Sequence, residues 1–300
     1  MTHTSPTLRF GARSVAARAW GLLHMSFNRP YSPAMTSALF FSIAGTFCMV
    51  PAALAPRVPR ARQGGLFWAS LLLAVLWAVV VAVRLVGQHW SAALTADLWV
   101  TIAASLTLFG LVCALSEQAK RLAVLVMPYL MLLAVLACFS ASRDNVGVSQ
   151  EAPAAWVDAH ILVSVTTLGL LTLAAAAALA CFIQARALKT KQPNALSRLL
   201  PPVSDSERLY ERLLILSEVV LTAGVATGMA TEFAETGRFL VFDHKTLFSL
   251  LAFALIGGLI AGRRWGGVRG QTAVRLLLVA YSFVLLGYFG VKFVKQVLLS

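Results

Sequence analysis

Charge is scarce in this chain: its 300 residues hold 25 Lys or Arg and 12 Asp or Glu, 12% in all, where an ordinary soluble domain carries roughly a quarter. A soluble globular enzyme is excluded on that ground. Acidic residues are the scarcer sign, and a formal net charge of +13 would ordinarily raise nucleic acid as a partner. The basic residues instead fall in short clusters between apolar runs, the pattern of topology signals and not of a phosphate-binding face, so no nucleic-acid partner is expected. Cysteine is limited to Cys48, Cys113, Cys138 and Cys181, each inside an apolar run and none in C-x-x-C or C-x-x-C-H spacing. Neither thiol redox chemistry nor covalent haem attachment is indicated.

Apolar residues make up 59% of the chain. That excludes intrinsic disorder, and the length and continuity of the runs exclude an outer-membrane barrel, whose strands are about 10 residues of alternating character. A membrane-spanning helix needs about 20 apolar residues at 1.5 Å rise to cross about 30 Å of hydrocarbon. Eight stretches qualify, near 35–55, 66–86, 98–116, 122–140, 160–183, 213–231, 244–262 and 273–294. The expected fold class is all-α, a polytopic integral membrane helical bundle of about eight transmembrane helices in the lipid bilayer.

Lys and Arg in alternate connections set the orientation. One side carries Arg57, Arg60, Arg62, Lys120, Arg121, Arg186, Lys189, Lys191, Arg198, Arg208, Arg212, Arg263, Arg264, Arg269 and Arg275. The other, past the first span, carries Arg84, Arg143, Arg238, Lys245, Lys292 and Lys295 with most of the acidic residues. The first side is therefore cytoplasmic, and the expected location is a bacterial-type inner membrane. Segment 1–34, with Arg9, Arg13, Arg18 and Arg29 and no acidic residue, reads as a basic leader, an overextended start or a frayed tail outside the folded domain 35–300. A signal peptide ending at Ala53-Leu54-Ala55 would invert every later span, sending the basic loop 185–212 outward, and is rejected.

Within the longest cytoplasmic connection, Leu200-Pro201-Pro202 ends one element, and Ser204 with Glu207 has capping-box spacing for the next. Gly224 and Gly228 in span six, Gly258 and Gly262 in span seven, Gly287 and Gly290 in span eight, and Ala174 to Ala178 in span five read as packing positions. Glu218 and Arg275 near the cytoplasmic side read as a structural ion pair or as snorkelling side chains.

Five histidines are present, and His89, His160 and His244 all fall at outer ends of spans. His160 opens span five after Trp156 and Asp158 in an outer loop, and His244 opens span seven within Phe242-Asp243-His244-Lys245. Imidazole is a common axial ligand of haem iron, and two histidines on different helices can hold a planar macrocycle between them. Trp156, Phe239, Phe242 and Phe248 would supply apolar walls; Asp243 and Lys245 would orient the His244 ring or meet haem propionates. Read without a ligand, these residues are interfacial anchors and an N-cap. Periodicity does not say whether His160 and His244 face each other.

Five stretches carry a family resemblance: His160-Ile161-Leu162-Val163-Ser164; Leu200-Pro201-Pro202 with Glu207; Phe242-Asp243-His244-Lys245-Thr246-Leu247-Phe248-Ser249-Leu250; Gly267-Val268-Arg269-Gly270; and Tyr288-Phe289-Gly290-Val291-Lys292-Phe293-Val294. Over 155–296 the chain resembles the cytochrome c assembly membrane proteins of the CcsA/CcmC/HemX superfamily, nearest its YpjD-like branch. The resemblance implies an inner-membrane protein that handles haem on the outer face, with His160 matching a family histidine and His244 in the segment of the Trp-rich haem-presenting motif. That motif's Trp-Asp-Pro-Lys-Glu-like core is replaced here by Phe242-Asp243-His244-Lys245-Thr246, and its Trp-rich loop is reduced to Thr231-Glu232-Phe233-Ala234-Glu235. The family histidine near the far end of span seven is replaced by Leu259-Ile260-Ala261-Gly262-Arg263.

The expected function is thus non-covalent binding of b-type haem (heme b) by His160 and His244, with coordination and hand-over to another cytochrome c maturation or membrane protein. With no hydrolytic or nucleophilic constellation in view, the chain is not expected to be an enzyme. Two rivals are a cofactor-free accessory or regulatory protein acting through 184–212, and a small-solute transporter.

Overall fold

A backbone polar group in hydrocarbon has no water to bond, so each apolar run must close its hydrogen bonds within itself, as helix. The computed structural model describes residues 33–58, 64–87, 94–141, 154–237, 244–268 and 270–290, and these are all-helical apart from short turns. The side chains of 33–38, 154–158, 235 and 244–245 fall outside that description. The chain divides into two units, Met1–Ser37 and Ala38–Ser300. The expected leader at 1–34 lies almost wholly outside the described residues, and the membrane bundle belongs to the second unit.

Eight long helices run through the described residues: α1 Pro33–Leu54, α2 Gly65–Gly87, α3 Leu94–Leu115, α4 Ala123–Ala141, α5 Ala154–Thr190, α6 Val203–Thr236, α7 His244–Trp265 and α8 Gln271–Leu285, the last continued by a π-helical turn, Leu286–Gly290. Each, taken with the short helical turn adjoining it in α1, α4 and α8, provides a stretch long and apolar enough to cross a membrane. The chain is therefore a multi-pass membrane protein of the expected all-α class.

Two helices are longer than hydropathy indicates. The 37 residues of α5 span about 56 Å and the 34 of α6 about 51 Å, against about 30 Å of hydrocarbon. At its N-terminal end α5 already begins at Ala154, so Trp156 and Asp158 lie in its first turns and not in a loop. Pro153 just before the helix and the strong helix formers Ala154, Ala155 and Ala159 account for that start. At its N-terminal end α6 begins at Val203, and its first turns carry Asp205, Glu207, Arg208, Glu211 and Arg212. Hydropathy marks only where a helix meets lipid, not where it ends.

The expected capping box does not form. The N-cap is Pro202, with no side-chain cap, and Ser204 lies inside the helix; Glu207 reaches across to Arg263 at 3.3 Å instead. The connection is held another way. A short helix, Ala195–Leu199, is capped by the Asn194 side chain, which accepts from Ser197 N at 2.7 Å. Gln184 Nε2 then donates to the carbonyls of Ser197, Leu200 and Pro201 at 2.7, 3.2 and 3.1 Å, acceptors that the helix end and the prolines leave without backbone partners.

The central helix is α5: 72% of its apolar window is buried inside the protein, against 17% in α7. Ala174 to Ala178 are all buried, so the alanine run lets neighbouring helices approach closely. Hydroxyls tie the bundle where lipid offers no partner: Thr172 on α5 bonds Tyr281 on α8 at 2.8 Å, and Tyr281 donates to Tyr129 on α4 at 2.5 Å. In the first half, Trp99 on α3 donates to Ser42 on α1 at 2.9 Å, and Thr95 pairs with Ser140 at 2.8 Å. The α7 end closes with Val268 N on Gly262 O at 3.1 Å and Gly267 at φ 65°, the left-handed cap geometry that glycine enters without steric cost. The stretch Gly267 to Gly270 is thus a turn device.

Candidate functional site

Helices α5 and α6 run in opposite directions and are joined by the segment 191–202, so the start of α5 meets the end of α6. Small residues make that seam close. A Cβ at Gly224 would lie 3.5 Å from Val163 Cγ1, and one at Gly228 would lie 3.0 Å from Cε1 of His160, 3.5 Å from Nδ1 and 3.8 Å from Nε2. One turn of α5 (His160, Val163) thus lies on one turn of α6 (Gly228, Gly224). The packing reading of this pair holds, and glycine at 228 is what admits an imidazole against the α6 backbone. Elsewhere the reading is uneven: a Cβ at Gly262 would meet Val268 Cγ2 at 3.1 Å, while one at Gly258 would meet nothing within 4 Å.

The hydrogen bonding orients the ring. Nδ1 of His160 lies 3.2 Å from Thr227 Oγ1. That hydroxyl has one proton, and it is directed into its own helix, toward Ala223 O at 2.9 Å and Gly224 O at 3.1 Å. Nδ1 and this hydroxyl thus form a contact that holds the rotation of the imidazole at the α6 surface. A metal-binding histidine is prepared in this manner: a partner on one nitrogen sets the orientation and basicity of the other.

His244 is the first residue of α7 and Lys245 the second, as the sequence indicates. Trp156 lies four residues before His160 on α5, on the same helical face. The structure describes no side chain of Trp156, His244 or Lys245, and Phe242, Asp243, Phe239 and His89 lie outside the described residues. It therefore brings His160 to the α6 seam and gives no distance between the two histidines. One turn after His244, Phe248 stacks on Phe283 of α8, with ring centroids 5.9 Å apart at 17°, an aromatic wall at the start of α7. Among the described residues no group of three His, Cys, Asp or Glu could hold a metal ion. The described site residue is the imidazole of His160, held by Thr227 over Gly228, a side-chain type that can ligate haem iron.

Sequence reading missed Thr227 and Gly228 as partners of His160; the only signal was the glycine spacing on one helix and a histidine on another. It also misjudged Glu218. Among the described residues the ion pairs are Glu117 with Lys120 at 2.7 Å and Glu207 with Arg263 at 3.3 Å. Glu218 is half-buried against α7, its Oε1 3.1 Å from where a Cβ on Gly257 would stand and its Oε2 buried without a hydrogen-bond partner, while Arg275 is exposed.

The family described as cytochrome C assembly protein matches residues 65–299. The chain belongs to the cytochrome c assembly protein family. A curated relative from Azospirillum brasilense, described as an uncharacterized 28.8 kDa protein in the nifR3-like 5′ region, is 44% identical over 271 residues, covering 89% of this chain and all of that protein. No solved structure matches the chain. Membership in the cytochrome c assembly family supports a role in cytochrome c biogenesis, and the match extends over α2 to α8 and beyond, including α2 to α4, three of the four first-half spans that sequence reading matched only by length and apolarity.

Proposed function

We propose that this cytochrome c assembly protein binds haem b non-covalently at the outer face of a bacterial-type inner membrane, with His160 as one axial ligand and His244 as the other. The observation that carries this reading is the setting of His160: Nδ1 engaged by Thr227 at 3.2 Å, ring seated over Gly228, at the outer end of the α5–α6 seam. His160 would coordinate the iron through its imidazole, and Thr227 would hold the ring's rotation. His244, at the first turn of α7, would approach from a second helix, with Phe242 and Trp156 as apolar contacts and Asp243 and Lys245 oriented to the ring or to propionates. Bound haem supplies a redox-active iron and a transferable prosthetic group. The chain's own part is coordination and hand-over to another maturation or membrane protein, without catalysis of its own.

The test is haem content after purification of the full chain in detergent with haem supplied, measured as the pyridine complex. Wild type is expected to retain about one haem per chain, and the His160→Ala/His244→Ala double variant to lose nearly all of it. A wild type without haem would overturn the proposal and favour the accessory reading, in which the ordered 184–212 connection is the working surface.

A further inference from the structure

At the opposite end of the bundle, where α5 and α6 extend past the hydrocarbon, the described residues enclose a cavity of about 420 Å³, within the size range of small-molecule sites. Ala178, Phe182, Ala273 and Val274 give it apolar walls, and Arg186, Lys189 and Arg263 face a single carboxylate, Glu207. The cations exceed the anions by two.

Arg263 is the built element. Its side chain is only 9% exposed and is fixed by Glu207 at 3.3 Å and by the Tyr210 ring, 4.9 Å from the guanidinium carbon. Its Nε is buried and has no hydrogen-bond partner of good geometry. The guanidinium, buried and paired with a single carboxylate, keeps N–H donors for a further acceptor, which an anionic ligand would supply. The N-terminus of α8 lines the same cavity through Gly270 and Gln271 and has no side-chain cap. Its first amides are therefore open to an anion there. Arg186 and Lys189 stand exposed at the mouth.

We propose that this cavity binds the phosphate of an anionic phospholipid from the cytoplasmic leaflet, with Arg263 and the α8 amides gripping the phosphate and Arg186 and Lys189 drawing it in. Basic pockets between helices on the cytoplasmic side suit such headgroups, because that leaflet carries the anionic lipids. The apolar residues beneath the cations give the acyl chains a path. The site is independent of the outer-face histidines.

The test is lipid retention by native mass spectrometry of the full chain released from nanodiscs of phosphatidylcholine mixed with phosphatidylglycerol, with inorganic phosphate in a parallel arm. Wild type is expected to retain phosphatidylglycerol selectively, and the Arg186→Gln/Lys189→Gln variant, altered only at exposed positions, to retain it roughly 25-fold less, about fivefold per charge. Arg263→Lys keeps the charge but loses Nε, and is expected to weaken retention without loss of Glu207 pairing. Equal retention of the two lipids, or no change in the double variant, would overturn the proposal. Displacement of phosphatidylglycerol by millimolar inorganic phosphate would overturn the lipid assignment in favour of a soluble phosphate compound.

Discussion

Replacing Thr227 by valine keeps a β-branched side chain of nearly the same shape in the helix and removes one atom that matters, the oxygen 3.2 Å from His160 Nδ1. Nδ1 then faces a methyl group at the α6 surface, and the ring loses its orienting contact. Loss of a neutral hydrogen bond costs about 0.5–1.5 kcal/mol; loss of the partner that orients a metal-bound imidazole costs about 10- to 100-fold in affinity, or about 1.4–2.7 kcal/mol. Gly228→Ala attacks the same ring sterically, because its Cβ would stand 3.0 Å from Cε1 and must push the imidazole or the helix by a few tenths of an ångström. Both variants should weaken haem binding in a detergent titration followed at the Soret band, Thr227→Val by about tenfold or more. Thr227→Ser should restore most of it. Wild-type affinity in both Thr227→Val and Gly228→Ala would refute the assignment of this seam as the binding site.

Further expectations concern packing and topology. Gly45→Ala places a Cβ 2.5 Å from Cη2 of the buried Trp99; overpacking of this kind costs about 1–3 kcal/mol and should lower the unfolding temperature in detergent by several degrees, while an unchanged temperature would contradict the α1–α3 packing. Gln184→Ala removes the donor shared by Ser197, Leu200 and Pro201. Local opening should rise roughly tenfold, read as faster tryptic cleavage at Lys191 and Arg198, and an unchanged cleavage rate would mean that Gln184 does not hold the connection. The orientation expected from charge asymmetry predicts that a reporter active only outside the cytoplasm is active when fused after residue 300 and silent when fused after residue 191; the reverse pattern would invert the topology.

The eight spans were legible because lipid demands the same thing of each, about 20 apolar residues in helix. What lay beyond lipid was not. The outer turns of α5 around Trp156 and the polar first turns of α6 are helical for reasons of local propensity and packing, to which hydropathy is blind. The spacing of Ser204 and Glu207 suggested a cap, but Glu207 found a stronger partner in Arg263, 56 residues away. His160 was legible as a candidate from its residue type and its place at a span end. Its pairing with Thr227 and Gly228 was not, since helical period tells which side chains share a face and never which helix lies opposite. The same limit hid the Thr172–Tyr281–Tyr129 hydroxyl chain and the basic cavity, whose lining comes from four helices.

The central claim is axial ligation of haem by His160, and its most direct measurement is the absorption and electron paramagnetic resonance spectrum of the haem-supplemented full chain beside His160→Ala and His244→Ala. Ligation by both imidazoles predicts a low-spin iron with sharp reduced bands in the wild type, a shift toward high spin in each single variant, and recovery of low spin in His160→Ala when imidazole is added. A wild-type spectrum that survives unchanged in His160→Ala would contradict it.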